Sequence, residues 1–336
     1  MKFRKFKKED VFQAAELLAK RHKKERIIFP SLKKKFEDAK CTEKILKERI
    51  ERNYTKGICA YKDNKILGFL LSNIKIDNRF GRCAWIDYEG LAIADSESPE
   101  LYRKLYAQLV KVWVENGVLS HYIIIPAGDK QVVDSWLNLS FAFQQVYGIT
   151  SLSKYDVKIP DNLTIKLADE NDSENLRNIS NLIFTYQAGA PTYAAGLPED
   201  MEIIRERYGE LPNDDESIIL LAYAGSELLG FQGGYIEEDN SHMMIPEKAI
   251  GMEIAGTVKK SRGSGIGNIL TKLMFNKAIE DGLENAYTDW RIANLCSSNF
   301  WPKKGFKPVA YRMYRRIDER IYWSDGIKVL NKHSMK

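Results

Sequence analysis

The chain repeats itself at long range, and no other feature restricts its possible folds as tightly. Ala60-Tyr61 through Leu67-Gly68-Phe69 reads A-Y-x-x-x-x-x-L-G-F, and Ala222-Tyr223 through Leu229-Gly230-Phe231 reads the same 162 residues later. Phe6-Lys7-Lys8-Glu9-Asp10 is echoed by Leu167-Ala168-Asp169-Glu170-Asn171 at an offset of 161, and Trp136 and Phe141 by Trp301 and Phe306 at 165. A near-constant displacement of half the 336-residue length signals a duplicated unit. Pro160-Asp161-Asn162 punctuates the join. The division expected is a first unit at 1–152, a second at 162–325 and a tail at 326–336. Either unit is long enough to bury a core of its own.

Within each unit the hydrophobic pattern sets the order of elements. Both A-Y…L-G-F segments hold two apolar runs around a polar turn, Asp63-Asn64 or Gly225-Ser226, which is a β-hairpin signal. In the second unit a short strand at 163–167 precedes a helix at 173–184, a loop at 186–198 rich in Gly, Ala, Pro and Tyr, and a helix at 198–208. Strands follow at 217–224, 228–237 and 248–258, then a helix at 265–281, a strand at 286–290, a short helix at 295–303 and a last strand at 307–317. The order βααβββαβαβ is an α/β (α+β) domain on a mixed sheet, and the first unit follows it more loosely.

Apolar residues at 44% and charged residues at 29% describe a soluble globular protein, and no apolar run approaches the ~18 residues that would span a bilayer. The lysine-rich start, Met1 to Lys8, has no apolar segment behind it, so no secretory leader is expected. Cys41, Cys59, Cys83 and Cys296 are scattered, without metal-ligand spacing. Neither a metal nor disulfides are expected, and a cytoplasmic location follows as the default. The net charge is +5, yet residues 1–56 carry 19 Lys and Arg against 9 Asp and Glu. Such a region suits RNA, an acidic partner or a phosphorylated cofactor, or simply a solvated helix surface.

The sharpest chemistry lies after the strand at 248–258. Lys259-Lys260-Ser261-Arg262-Gly263-Ser264-Gly265-Ile266-Gly267 leads at once into a helix with Ile266, Ile269, Leu270, Leu273 and Met274 at core spacing. Three glycines in five residues allow a tight turn and close approach of backbone N–H groups to a ligand. A helix N-terminus adds unpaired donors and partial positive charge, which together suit a pyrophosphate. No G-K-[S/T] follows, and G-S-G-I-G is not G-x-G-x-x-G, so neither a P-loop nor the dinucleotide fingerprint is present.

Arg262, Gly265 and Gly267 resemble the R/Q-x-x-G-x-G/A signature of the GNAT (GCN5-related N-acetyltransferase) superfamily. Asn294, Ser297, Trp301, Gly305 and Phe306 are similar to the family's N-x-x-A-x-x-x-Y-x-x-x-G-F run. The resemblance covers residues 163–318 well and reaches 1–150 through the repeat. It implies two tandem GNAT folds, each a mixed, largely antiparallel sheet flanked by helices, with acetyl-CoA as cosubstrate. It further implies pantetheine along Ala255, Gly256, Thr257 and Val258 and pyrophosphate on Arg262, Gly263, Ser264, Gly265, Ile266 and Gly267. Asn294 and Trp301 would border the thioester arm.

Amide formation needs a neutral amine and a proton acceptor. Glu253 is the first candidate, because Gly251, Ala255 and Thr257 leave room around it on one strand face while Ile250, Met252 and Ile254 make the other. The alternative for Glu253 is a structural ion pair. Trp301 stands where the family often has a tyrosine, and an indole is no useful acid near neutral pH, so Tyr287, Tyr311 and Tyr314 remain unranked as proton donors to the leaving thiol. Asp289 suits a cationic acceptor, and Tyr186 and Tyr193 in the loop at 186–198 suit an apolar or ring-bearing one. In the first unit Glu89 roughly echoes Glu253, Ser140 replaces Gly305, and Asp95-Ser96-Glu97-Ser98-Pro99-Glu100 stands in place of the glycine loop with three carboxylates. That unit is expected to keep the fold, to have lost phosphate binding and to pack on the second.

The function expected is acetyl transfer from CoA to a primary amine, on a small molecule or a protein, by direct attack in the second unit. Two other classes compete: a non-catalytic acyl-CoA sensor, and an aminoacyl-tRNA-dependent aminoacyltransferase, against which the intact glycine loop argues. Nucleic acid and membrane partners are not expected, and the oligomeric state is open.

Overall fold

The computed structural model describes residues 1–194, 196–236 and 242–324, so the tail expected at 326–336 lies outside the described residues. The first half holds β1 (Lys2–Lys5), α1 (Val11–Ile28), α2 (Ala39–Glu51), β2 (Thr55–Lys62), β3 (Lys65–Asp77), β4 (Gly81–Ile86), β5 (Leu91–Ile93), α3 (Glu100–Glu115), β6 (Ser120–Pro126), α4 (Lys130–Leu137) and β7 (Ala142–Ser151). The second half repeats the order with β8 (Thr164–Leu167), α5 (Ser173–Ile179), α6 (Leu182–Ala188), α7 (Pro198–Glu210), β9 (Ser217–Ala224), β10 (Glu227–Ile236), β11 (Ala249–Thr257), α8 (Ile266–Glu280), β12 (Asn285–Arg291), α9 (Leu295–Phe300) and β13 (Lys307–Arg316). No described helix is long and apolar enough to cross a membrane.

Two elements differ from expectation. The helix expected at 173–184 is broken at Ser180-Asn181, where the Ser180 hydroxyl donates to the Arg177 carbonyl at 2.7 Å and competes with the helical ladder. A new helix then runs to Ala188, so Tyr186 sits on α6 and not in a loop. The fourth strand of the first half, which the repeat of the strand at 248–258 puts at about 85–94, is interrupted by a turn of 3-10 helix at Tyr88–Gly90. The repeat also survives where its residues changed: Ser140 keeps the left-handed conformation (φ 61°) that Gly305 (φ 90°) adopts in the second half.

The strands form one continuous sheet in the order β1-β2-β3-β4-β6-β13-β7-β12-β11-β10-β9-β8, with β5 beside β3. Only β4/β6 and β11/β12 are parallel pairs; the other ladders are antiparallel. The order is palindromic, and its centre holds an exchange. β7, from the first half, pairs with β12 of the second, from Asn285↔Ser151 to Arg291↔Gln145. β13, from the second half, pairs with β6 of the first, from Ala310↔Pro126 to Arg316↔Ser120. The two exchanged strands then pair with each other. Each half thus receives its closing strand from the other, which goes beyond the packing of the first unit on the second that was expected.

Helices cover both faces. α3 and α4 bury Trp113, Trp136, Tyr102 and Tyr106 against the first half, and α1 and α2 close its other face over Leu18, Leu46 and Phe69. α8 buries Leu270, Met274 and Phe275 on the second half. The face under α5 and α7 has a much smaller core, led by Leu176, Leu221 and Phe231, and this thin layer leaves space at the sheet. In the connection between β10 and β11 His242 is exposed, but its neighbours are not all so. Met243 is fully buried in the first half's core, and Leu32 bridges to Pro246.

Candidate active site

The site begins where two parallel strands part. β11 and β12 pair only at Ala249↔Asn285, Ile250↔Ala286 and Gly251↔Tyr287, and the ladder then stops. At the vertex the Thr288 hydroxyl donates to the Met252 carbonyl at 2.7 Å. A Cβ on Gly251 would lie 2.6 Å from the Tyr287 ring, so the vertex itself needs glycine. On the other side of β11 the register with β10 slips between Gly233↔Ile254 and Tyr235↔Gly251, which sets Met252 and Glu253 together against Gly234. This β-bulge reverses the alternation. Ile250 and Met252 face the α8 core, whereas Ile254 packs on the α5–α7 side. The single apolar face expected for Ile250, Met252 and Ile254 is therefore corrected, and the bulge is its physical cause.

Beyond the bulge, Ala255, Gly256 and Thr257 form one wall of a cleft of about 490 Å³. Arg262, Gly263, Gly265, Ile266 and Gly267 close one end, and Asn294, Cys296, Ser297, Phe300 and Trp301 form the opposite wall. Gly263 (φ 84°) and Gly265 (φ 89°) are left-handed, with nothing within 4 Å of a Cβ built on either. Backbone conformation, not crowding, selects glycine there. Gly265 caps α8, whose first turn holds no acidic residue, so its free N–H groups face the cleft end without a competing carboxylate. Val258 and Ser264 stand just outside the lining: the Val258 N–H donates to the Leu229 carbonyl at 2.9 Å, and the Ser264 hydroxyl to that of Ser261 at 2.7 Å. Asn294 is both wall and N-cap, accepting from the Cys296 and Ser297 N–H groups at 3.0 and 3.2 Å. Trp301 is buried between Phe300 and Phe306 with one edge on the cleft.

Tyr186 reaches this first cleft from α6. The Arg262 guanidinium lies 4.4 Å from its ring centre, and its hydroxyl is 2.9 Å from the Cys296 sulfur. The contact with Cys296 raises its pKa. Tyr193 is 75% exposed and lines neither cleft.

A second cleft of about 590 Å³ opens on the other side of the bulge, and Ile183 lines both. Glu253, Asp289 and Tyr235 line it with Tyr208, Trp290, Arg79, Gln145 and Arg291. Burial pushes Tyr235 up to about 12, helped by the charge of Glu253. Asp289 opens onto the cleft, but the protein around it displaces bulk water and raises its pKa against the pull of Arg312, Arg291 and Arg79. Arg79 and Gln145 come from the first half, so both halves build this cleft. Sequence reasoning missed these two and Arg291; only the exchange of β7 brings Gln145 to β12.

The matching region of the first half is bridged by a side chain. Arg21, from α1, donates to the Tyr88 and Leu91 carbonyls at 2.7 and 2.5 Å. Glu89, the counterpart of Glu253, is buried and ion-paired with Arg49. The carboxylate-bearing loop at 95–100 precedes α3 with Pro99 at its cap and no side-chain capping bond.

No family model and no curated protein matches the chain. Solved structures do. A GCN5-related N-acetyltransferase from Sphaerobacter thermophilus superposes with a TM-score of 0.60 at 12% identity, covering 94% of this chain and 95% of that one. A tandem GNAT protein from the clavulanic acid biosynthesis pathway gives 0.52 at 13%, covering 94% and 98%. The glucosamine N-acetyltransferase region of a fungal multi-domain β-N-acetylglucosaminidase gives 0.54 at 14%, covering 93% of this chain and 38% of that longer one.

Proposed function

Because the chain has the tandem GNAT fold, we propose that it is an acyl-CoA-dependent N-acyltransferase, using acetyl-CoA, with one working site in its second half. The observation that carries this reading is the parting of β11 from β12 directly beside a left-handed glycine turn at a helix N-terminus. A thioester arm fits along Ala255, Gly256 and Thr257, and a pyrophosphate fits the turn from Arg262 to Gly267.

The acceptor amine enters from the second cleft and meets the thioester near Ile254. Glu253, at the edge of the bulge, takes the amine proton directly or through one water, so that the lone pair is free to attack. Backbone N–H groups of β11 past the vertex are placed to donate to the carbonyl oxygen as charge develops on it. Tyr186 is the one phenol on the lining of the first cleft and offers its hydroxyl to the departing thiol. Attack is direct, since no nucleophile and base pair lines either cleft among the described residues.

Calorimetric titration with acetyl-CoA tests the reading. One site per chain is expected, with binding lost in Gly265→Glu, which sets a side chain and a negative charge at the mouth of the turn. Glu253→Gln should retain that binding while thiol release falls by about a hundredfold or more. Absence of heat with the unaltered chain, or binding that survives Gly265→Glu, sinks the assignment and brings RNA or another donor forward.

A further inference from the structure

Two arginines on the lining of the second cleft and a third beside them have no ion-pair partner among the described residues, although Glu210, Asp214, Glu253 and Asp289 also line it. Arg79, in the turn between β3 and β4, and Arg291, at the end of β12, both line it. Arg312, on β13, lies buried behind them. Its guanidinium is fixed by the Gln144 side-chain oxygen at 2.8 Å, by that of Gln145, and by the Tyr147 phenol at 3.5 Å. Among the described residues, no carboxylate lies within ion-pair distance of any of the three guanidiniums. Asp289 is an acidic group on which all three charges act. Burial lowers Arg291 to about 10, and the like charges of Arg312 and Arg79 add to that fall.

Three like charges converging from three elements of a semi-enclosed cleft destabilise the unliganded protein, because burial removes water that would screen them. Neutral amide oxygens hold Arg312 in place without cancelling its charge. The planar forks of Arg79 and Arg291, free of carboxylate partners, suit bidentate contact with a carboxylate or phosphate. Glu253 on β11 and Arg291 on β12 line the same cleft, so one lining offers both a proton acceptor and a cationic seat. On the reading of this cleft as the acceptor site, we infer that the acceptor is an amine that also carries an anionic group, a carboxylate or a phosphate, seated on Arg79 and Arg291 with Arg312 behind them.

The test measures binding without any acyl donor, so it does not depend on the transferase reading. Three probes share an aminoethyl group: 2-aminoethyl phosphate, β-alanine and ethylamine. They are titrated at constant ionic strength into the full chain carrying Gly265→Glu, which keeps phosphate off the glycine turn. At least one anionic probe should bind saturably and about tenfold or more tighter than ethylamine. The preferred one of the two tells phosphate from carboxylate. Arg79→Gln and Arg291→Gln should each weaken it by about tenfold, with folding checked by the thermal midpoint. Equal affinity for ethylamine, no saturable binding of either anionic probe, or binding indifferent to both arginine changes would overturn the inference. Anion binding in that variant, together with no thiol release from acetyl-CoA by the unaltered chain in the presence of the preferred probe, would instead keep it and sink the transferase.

Discussion

At Tyr186 the side chain's two ends do different things. The ring stacks under Arg262, and the hydroxyl meets Cys296, so the two can be separated by experiment. Tyr186→Phe keeps the ring and removes only the proton donor. Steady-state thiol release should then show kcat down by about tenfold or more with KM for acetyl-CoA unchanged; an unchanged kcat would remove Tyr186 from the chemistry. A second residue speaks through stability. Glu25, on α1, is buried with one carboxylate oxygen lacking a partner, and burial pushes it from 4.5 up to about 7. The folded chain therefore binds this proton more tightly than the unfolded one. The resulting stability is fully present below 4.5 and is lost as pH rises through about 7. Glu25→Gln should raise stability near pH ~8 by on the order of 3 kcal/mol and change little near pH ~4, as read from denaturant titrations at both. His22 and His121 act in the opposite window. Burial lowers each from 6.5 to about 4, so their contribution is present above 6.5 and fades as pH falls through about 4.

Elements explain which parts of the site a reader of the sequence can find. The glycine turn was legible because a left-handed φ without crowding admits little but glycine, and three of them before an amphipathic run mark a helix start. The hairpins were legible from their turns. The bulge on β11 was not, since Ile250, Met252 and Ile254 alternate as a regular strand would. Its trace is the Gly233-Gly234 pair on the partner strand, where a Cβ at 234 would come within 2.6 Å of Ile250. Tyr186 reads as loop because the Gly, Ala, Pro and Tyr content of 186–198 hides the second helix, which starts at Leu182 after the break at Ser180 and runs to Ala188. At this scale the vertex offers its own test. Gly251→Ala drives a Cβ to 2.6 Å from the Tyr287 ring and should force β12 away from β11. Urea unfolding should show a loss of about 1–3 kcal/mol, accompanied by weaker acetyl-CoA binding; an unaltered midpoint would show that the strands part for another reason.

For the whole molecule, the sequence announces a duplication but not the exchange. β7 and β13 carry equivalent patterns, and either would complete either half; the choice rests on long-range pairing that no local signal encodes. The exchange makes the halves interdependent, because each one alone lacks the strand beside β6 or β12. Residues 1–156 and 157–336, expressed separately, should each fail to give a cooperative unfolding transition. Co-expressed, they should form a one-to-one complex with the circular dichroism of the intact chain. A separately folded, monomeric second half that still binds acetyl-CoA would show that β7 is dispensable. The same exchange has a consequence for descent. After most duplications one copy is free to decay, but here each copy supplies a strand to the other, and the first also supplies two lining residues to the second cleft. On the proposed function, the strand from Ala142 to Ser151 is under selection for an activity seated in the other half.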